Sequence, residues 1–175
     1  FTDFSECKLK VASEYALAHL GILNGRVPRK AVAIHTWVDG SYYPEKVNSQ
    51  EQIFGEKSGW ACVAQSQEGD SHDCANHIVG VALAPVYDAD ITKFHIQQHG
   101  ADAAEAIAIH VAVQWLLTIG LPGVIHFDSK VAGNAAAGQA DPPDNIANIT
   151  RATAGLLEIA KVKMHHNRIF TCPFP

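Results

Sequence analysis

The sequence predicts a mixed α/β domain in which a three-strand antiparallel meander feeds a layer of parallel strands and helices. Three observations carry this. β-Branched and aromatic runs recur between Lys30 and Val86, separated by polar stretches. One long segment, Gly100 to Gly120, is apolar nearly all round at helical spacing. A short apolar run then follows that helix, which makes it parallel to an earlier strand.

Residues 5–20 read as a helix, with Leu9, Ala12, Tyr15, Ala16, His19 and Leu20 near helical spacing and Gly21 and Gly25 stopping it. Residues 1–29 are a lead-in, and "NGRVPRK" is a connector. "AVAIHTWV" (31–38) is the first strand, ending on the acid of "VDGS". "GWACVAQS" (59–66) is the second and "CANHIVGVALAPV" (74–86) the third, with "SQEGDSHD" turning between them. The stretch 43–58 is too long for a tight hairpin and reads as an inserted loop. A second insertion is expected at 86–100, with Asp88 and Asp90 facing solvent.

"GADAAEAIAIHVAVQWLLTIG" opens after Gly100 and closes at Gly120, with Pro122 beyond. Ala104, Ile107, Ala108, Val111 and Trp115 share one face, while Ile109, Val113, Leu116 and Leu117 fill most of the rest. Such a helix belongs between a sheet and another helix. "GVIHFDS" (123–129) is the fourth strand, and "KVAGNAAAGQ" a short helix or two. Asp144 is placed to cap a helix whose buried face is Ile146, Ile149, Thr153, Leu156, Leu157 and Ala160. "KVKMHHN" (161–167) is the fifth strand.

Composition narrows the function. With 13 Lys and Arg against 18 Asp and Glu, the formal charge is −5. Basic residues are scattered, which argues against a non-specific binder that works by neutralising phosphates, though not against an enzyme that meets phosphates through metal ions. The apolar stretches are interrupted by His, Gln or Gly, short of the roughly 20 residues of a membrane helix. No membrane partner is expected. The N-terminus lacks a secretory pattern, and the four cysteines, Cys7, Cys62, Cys74 and Cys172, form no C-x-x-C pair. An intracellular setting, cytoplasmic or nuclear and not secreted, is the expectation.

Two strands end on an acid plus serine, "VDGS" and "FDSK". If the fourth strand lies parallel beside the first, Asp39 and Asp128 emerge at adjacent strand ends. Glu105 lies near the first turn of the apolar helix, with no salt partner on that helix. Taken singly, each has an ordinary structural reading: Asp39 in a turn, Asp128 approaching a helix, Glu105 complementing a helix N-terminus. Three on one rim is different, because clustered carboxylates need a cation to stay ionised together. An all-oxygen cluster suits Mg²⁺ or Mn²⁺. Two such ions about 4 Å apart activate a water and stabilise the leaving oxygen of a phosphodiester.

On these residues the chain resembles the ribonuclease H domain found in cellular enzymes and in retroelement reverse transcriptases. The resemblance runs from about Lys30 to Asn167. Its signatures are the strand ending "VDGS", the helix opening "ADAAEAIAI", the strand ending "HFDS" before a small-residue helix, and the intervening "SGWACVA". It implies a five-stranded mixed sheet, three antiparallel strands then two parallel, with helices on both faces. It implies Asp39, Glu105 and Asp128 as catalytic metal ligands for Mg²⁺ or Mn²⁺. The implied substrate is the RNA strand of an RNA/DNA hybrid, recognised by shape and 2′-hydroxyls, with Gly40, Ser41 and Ser129 near that strand. Other domains of a longer retroelement-type polyprotein are implied partners.

The family carries a fourth carboxylate on a last helix, preceded by a His-containing loop, and "NRIFTCPFP" has neither acid nor helical character. The expectation is therefore a domain over 30–175 that lacks its last helix. His165 and His166 are given no catalytic role. The alternative is a catalytically degenerate ribonuclease H-like domain serving as a nucleic-acid-binding or structural module. Transposase, integrase and proofreading-exonuclease patterns fit less well, because here the Glu falls between the two Asp residues. P-loop, nucleophile-elbow and H-E-x-x-H motifs are absent. His72, His77, His95 and His99 match no ligand spacing and read as solvated.

Overall fold

A computed structural model describes residues 29–69 and 78–167. The expected helix at 5–20, residues 70–77 with His72 and His77, which hold the end of the expected turn and the start of the expected third strand, and the last eight residues lie outside that description. The central sheet has five strands: β1 (Ala31–Tyr43), β4 (Lys57–Glu68), β5 (Ile78–Pro85), β6 (Gly123–Phe127) and β7 (Val162–His166). Their order is β5-β4-β1-β6-β7. The β5/β4 and β4/β1 pairs are antiparallel, and the β1/β6 and β6/β7 pairs are parallel. The predicted meander followed by parallel strands is what forms.

The strands run further than their apolar cores. β1 does not stop at Val38: Asp39 pairs with Ala61, Gly40 with Trp60 and Tyr43 with Lys57. Asp39 is therefore a mid-strand residue and not a turn former, because β4 continues to supply ladder partners beyond the buried segment. The expected loop at 43–58 holds a two-stranded ribbon, β2 (Lys46–Val47) and β3 (Ile53–Phe54). The expected insertion at 86–100 contains a helix, α1 (Asp88–Phe94). Its signal was too short for periodicity, and its start is marked by the Tyr87 amide donating to Asp90 Oδ2 at 3.0 Å.

α2 (Ala101–Ile119) opens at Gly100 and closes at Gly120, whose φ of 74° is the left-handed conformation that glycine adopts without a Cβ penalty. It packs on β1, β4 and β6 on one side and on α4 (Ala147–Leu157) on the other. That position accounts for apolarity long enough for a membrane span by length and composition alone. Ile34, Val38 and Ile125 from the sheet meet Ile107, Ile109, Val113 and Leu116 in the core. Its buried His110 donates from Nδ1 to Thr153 Oγ1 at 3.0 Å, the hydroxyl itself donating to Ile149 O.

α3 (Lys130–Ala136) follows β6. Asp144 does not cap α4: it begins a short 3₁₀ turn, Asp144–Ile146, entered from Pro143 without a side-chain cap. α2 packs on the sheet and also contacts α3 and α4, and α3 reaches β7. Among the described residues the opposite face carries half-buried His35, Trp37, Val124 and His126.

Candidate metal centre

Three elements deliver the three acids. β1 and β6 pair in parallel up to Trp37 and His126. Asp39 follows two residues later within β1, where strand alternation sends it to the face away from α2, and Asp128 comes just past the end of β6. Glu105 arrives from α2 and is 3% exposed, whereas Asp39 and Asp128 are open to solvent. It reaches the others at the end of β6, where the sheet stops separating the two faces. One carboxylate oxygen of each residue lies within 4.8 Å of the others.

Gly40 makes this convergence possible. A Cβ there would strike the Glu105 amide nitrogen and the Ala101 carbonyl oxygen. The missing side chain lets the first turns of α2 rest directly on β1, which sets Glu105 beside Asp39. Gly40 thus has a packing role that its place in "VDGS" had not disclosed. Ser41 is exposed on the rim, its hydroxyl reaching the Gly59 carbonyl at 3.4 Å.

Glu105 is held by backbone. Its Oε1 accepts from the Asp128 amide at 3.1 Å and the Ser129 amide at 3.0 Å. The Ser129 hydroxyl accepts from the Ala132 amide, capping α3, and donates to Asp102 Oδ1 at 2.7 Å. Ser129 is therefore engaged in fixing the turn after β6. Asp102, which the sequence reading passed over, sits one helical turn before Glu105 and anchors the same turn. Its only signal was that i, i+3 spacing.

Charge accumulates here without compensation. Burial, then the hydrogen bond to Asp128, pushes the Glu105 carboxyl up to about 8, against two amide bonds that pull it down. Burial, and then Asp128, also raise Asp39. None of the short ion pairs that would neutralise such a cluster occurs among the described residues. This donor set, all oxygen and mutually repelling when ionised, fits a hard divalent cation such as Mg²⁺ or Mn²⁺.

The neighbouring histidines have other duties. His166 donates from Nε2 to the Asp128 carbonyl at 3.1 Å. His95 is exposed, and His99 bonds Ser58 through Nδ1 at 2.6 Å, so those two form no joint patch. His35, His126 and His165 form a hydrogen-bonded row that sequence spacing did not reveal.

No protein-family model matches the sequence, and no curated protein matches it. Solved structures do. A ribonuclease H1 from the halophilic archaeon Halobacterium salinarum aligns with a TM-score of 0.55 at 16% identity, over 77% of this chain and 85% of that one. The N-terminal ribonuclease H domain of a Mycobacterium tuberculosis protein, solved as a fusion with maltose-binding protein, gives 0.54 at 10% identity, over 78% and 81%. The protease–reverse transcriptase of prototype foamy virus gives 0.55 at 16% identity, over 82% of this chain and 18% of that longer one. At such identities the likeness establishes architecture alone: the chain adopts a ribonuclease H-like fold.

Proposed function

We propose that this ribonuclease H-like domain is a metal-dependent endonuclease that hydrolyses the RNA strand of RNA/DNA hybrids. The observation that carries the reading is the convergence of Asp39, Glu105 and Asp128, drawn from β1, α2 and the end of β6, within 4.8 Å. Asp39 and Asp128 present oxygens at the solvent side, where a duplex backbone can approach. Glu105 forms the floor, with Oε1 tied to two amides. Asp39, Glu105 and Asp128 would hold Mg²⁺ or Mn²⁺, which would supply Lewis-acid activation of a phosphodiester and of the attacking water. Ser129, Asp102 and the two amides hold the carboxylates in place before substrate arrives, which lowers the reorganisation needed at reaction. Ser41, on the exposed continuation of β1, is positioned to meet the sugar-phosphate backbone.

The chain's likeness to one segment of a viral protease–reverse transcriptase supports a further reading, that it serves as one domain of a retroelement-type polyprotein. The test is a hybrid labelled on either strand, incubated with the full chain and Mg²⁺ or Mn²⁺. Internal cuts in the RNA alone, abolished by EDTA and by Asp128→Asn, are expected. An intact hybrid in both metals would overturn the nuclease reading. Hybrid binding without cleavage would then favour a binding module.

A further inference from the structure

A second cluster of metal-ligating side chains spans β1, β6 and β7 on the face away from α2. Its hydrogen bonds have a defined direction. Gln67 donates from Nε2 to the Gly69 carbonyl at 3.2 Å, which turns its Oε1 toward His35. His35 Nε2 lies 2.8 Å from that oxygen and must donate to it. His35 Nδ1 is then an acceptor, and His126 Nε2, 2.9 Å away, donates. With that tautomer His126 Nδ1 carries a lone pair, which faces His165 Nδ1 at 3.2 Å, and the Asn167 side chain also lies within hydrogen-bond reach of the His126 ring. A single proton, on His165, stands between two nitrogens.

We propose that His126 Nδ1 and His165 Nδ1 form a binding site for a borderline divalent transition ion, Zn²⁺, Cu²⁺ or Ni²⁺. Two imidazole nitrogens bound tetrahedrally at about 2.0–2.1 Å from zinc lie about 3.3 Å apart, close to the spacing present. Imidazole favours these ions, whereas the carboxylate rim favours Mg²⁺ or Mn²⁺. His126 also has the outer support of a metal-bound histidine, its other N–H donating to a fixed acceptor that is itself anchored through Gln67. His165 is exposed on the outermost strand. Its ring can rotate to aim the lone pair, and solvent can fill the remaining coordination positions. Binding is balanced without loss of charge: His165 gives up the proton on Nδ1 and takes one on Nε2, while His126 keeps its tautomer.

Trp37 provides a reporter, its indole stacking on the His126 ring at 4.7 Å between centroids and 8° between planes. The experiment is a Cu²⁺ titration of the full chain in excess Mg²⁺, followed by tryptophan fluorescence and by electron paramagnetic resonance. Expected are quenching that Trp37→Phe largely removes, and hyperfine coupling to two imidazole nitrogens. His165→Ala, at an exposed position, weakens binding by about tenfold or more and abolishes the second nitrogen coupling. Asp128→Asn leaves the titration unchanged. Equal titration of wild type and His165→Ala, or loss of binding in Asp128→Asn, would overturn the site.

Discussion

Asp39 and Asp128 stand one rung beyond the Trp37–His126 pair, each two residues past the last parallel partners of β1 and β6. The rung before them is an aromatic stack, and the next is a pair of carboxylates. Parallel register thus brings the acids close together, and after burial itself Asp128 raises the cost of ionising Asp39.

Replacing Asp39 with Asn removes that repulsion and one ligand together. Without metal, the variant is expected to unfold at the same temperature as wild type or slightly higher. Its hybrid cleavage should fall by about a hundredfold or more, because a lost ligand forfeits several kcal/mol of transition-state stabilisation. Calorimetry in EDTA and single-turnover cleavage measure the two effects. A destabilised Asp39→Asn variant would mean that the carboxylate serves the fold.

Metal-free stability should depend on pH through Glu105. Its carboxyl rises from an ordinary 4.5 to about 8 on folding, so between those values the folded chain holds more protons than the unfolded one. The stabilisation is complete below about 4.5 and is lost as pH rises through 8. Burial depresses His110 and His126, which act in the opposite sense in acid. The measurement is therefore the difference in Tm between wild type and Glu105→Gln in EDTA. That difference should move against wild type as pH climbs from 5 to 8, and saturating Mn²⁺ should flatten it.

Gly40→Ala tests the contact that brings Glu105 to the rim. The added methyl meets α2 backbone, which cannot swing aside as a side chain can. A loss of about 1–3 kcal/mol is expected in urea unfolding, together with weaker Mn²⁺ binding by calorimetry. Ser41→Ala, one residue on and exposed, should change neither.

Thr153→Val addresses the middle of α2, away from the rim. The hydroxyl accepts the Nδ1 proton of buried His110, and valine leaves that donor without a partner. The expected cost is about 1–3 kcal/mol of stability, with metal binding at the rim unchanged.

Much of this molecule was written in local pattern. The ends of α2 were readable because Gly100 and Gly120 bracket an uninterrupted apolar run, and the order of strands followed from where period two gave way to helical spacing. α1 went unread because seven residues with no fully buried side chain carry too little periodicity. Asp39 was misplaced within β1 because a turn and an exposed strand continuation use the same residues. The packing role of Gly40 went unread, since the chain alone does not say which backbone will press against it.

The sequence by itself determined the elements, their order and the candidacy of Asp39, Glu105 and Asp128, since apolar spacing and isolated acids are properties of neighbours along the chain. Only the tertiary structure decided that these acids share one point, that Ser129 and Asp102 brace it, and that His126 faces His165. Each of those facts depends on the register between strands and on how closely a helix can approach a glycine, and both are set by contacts between residues far apart in the chain.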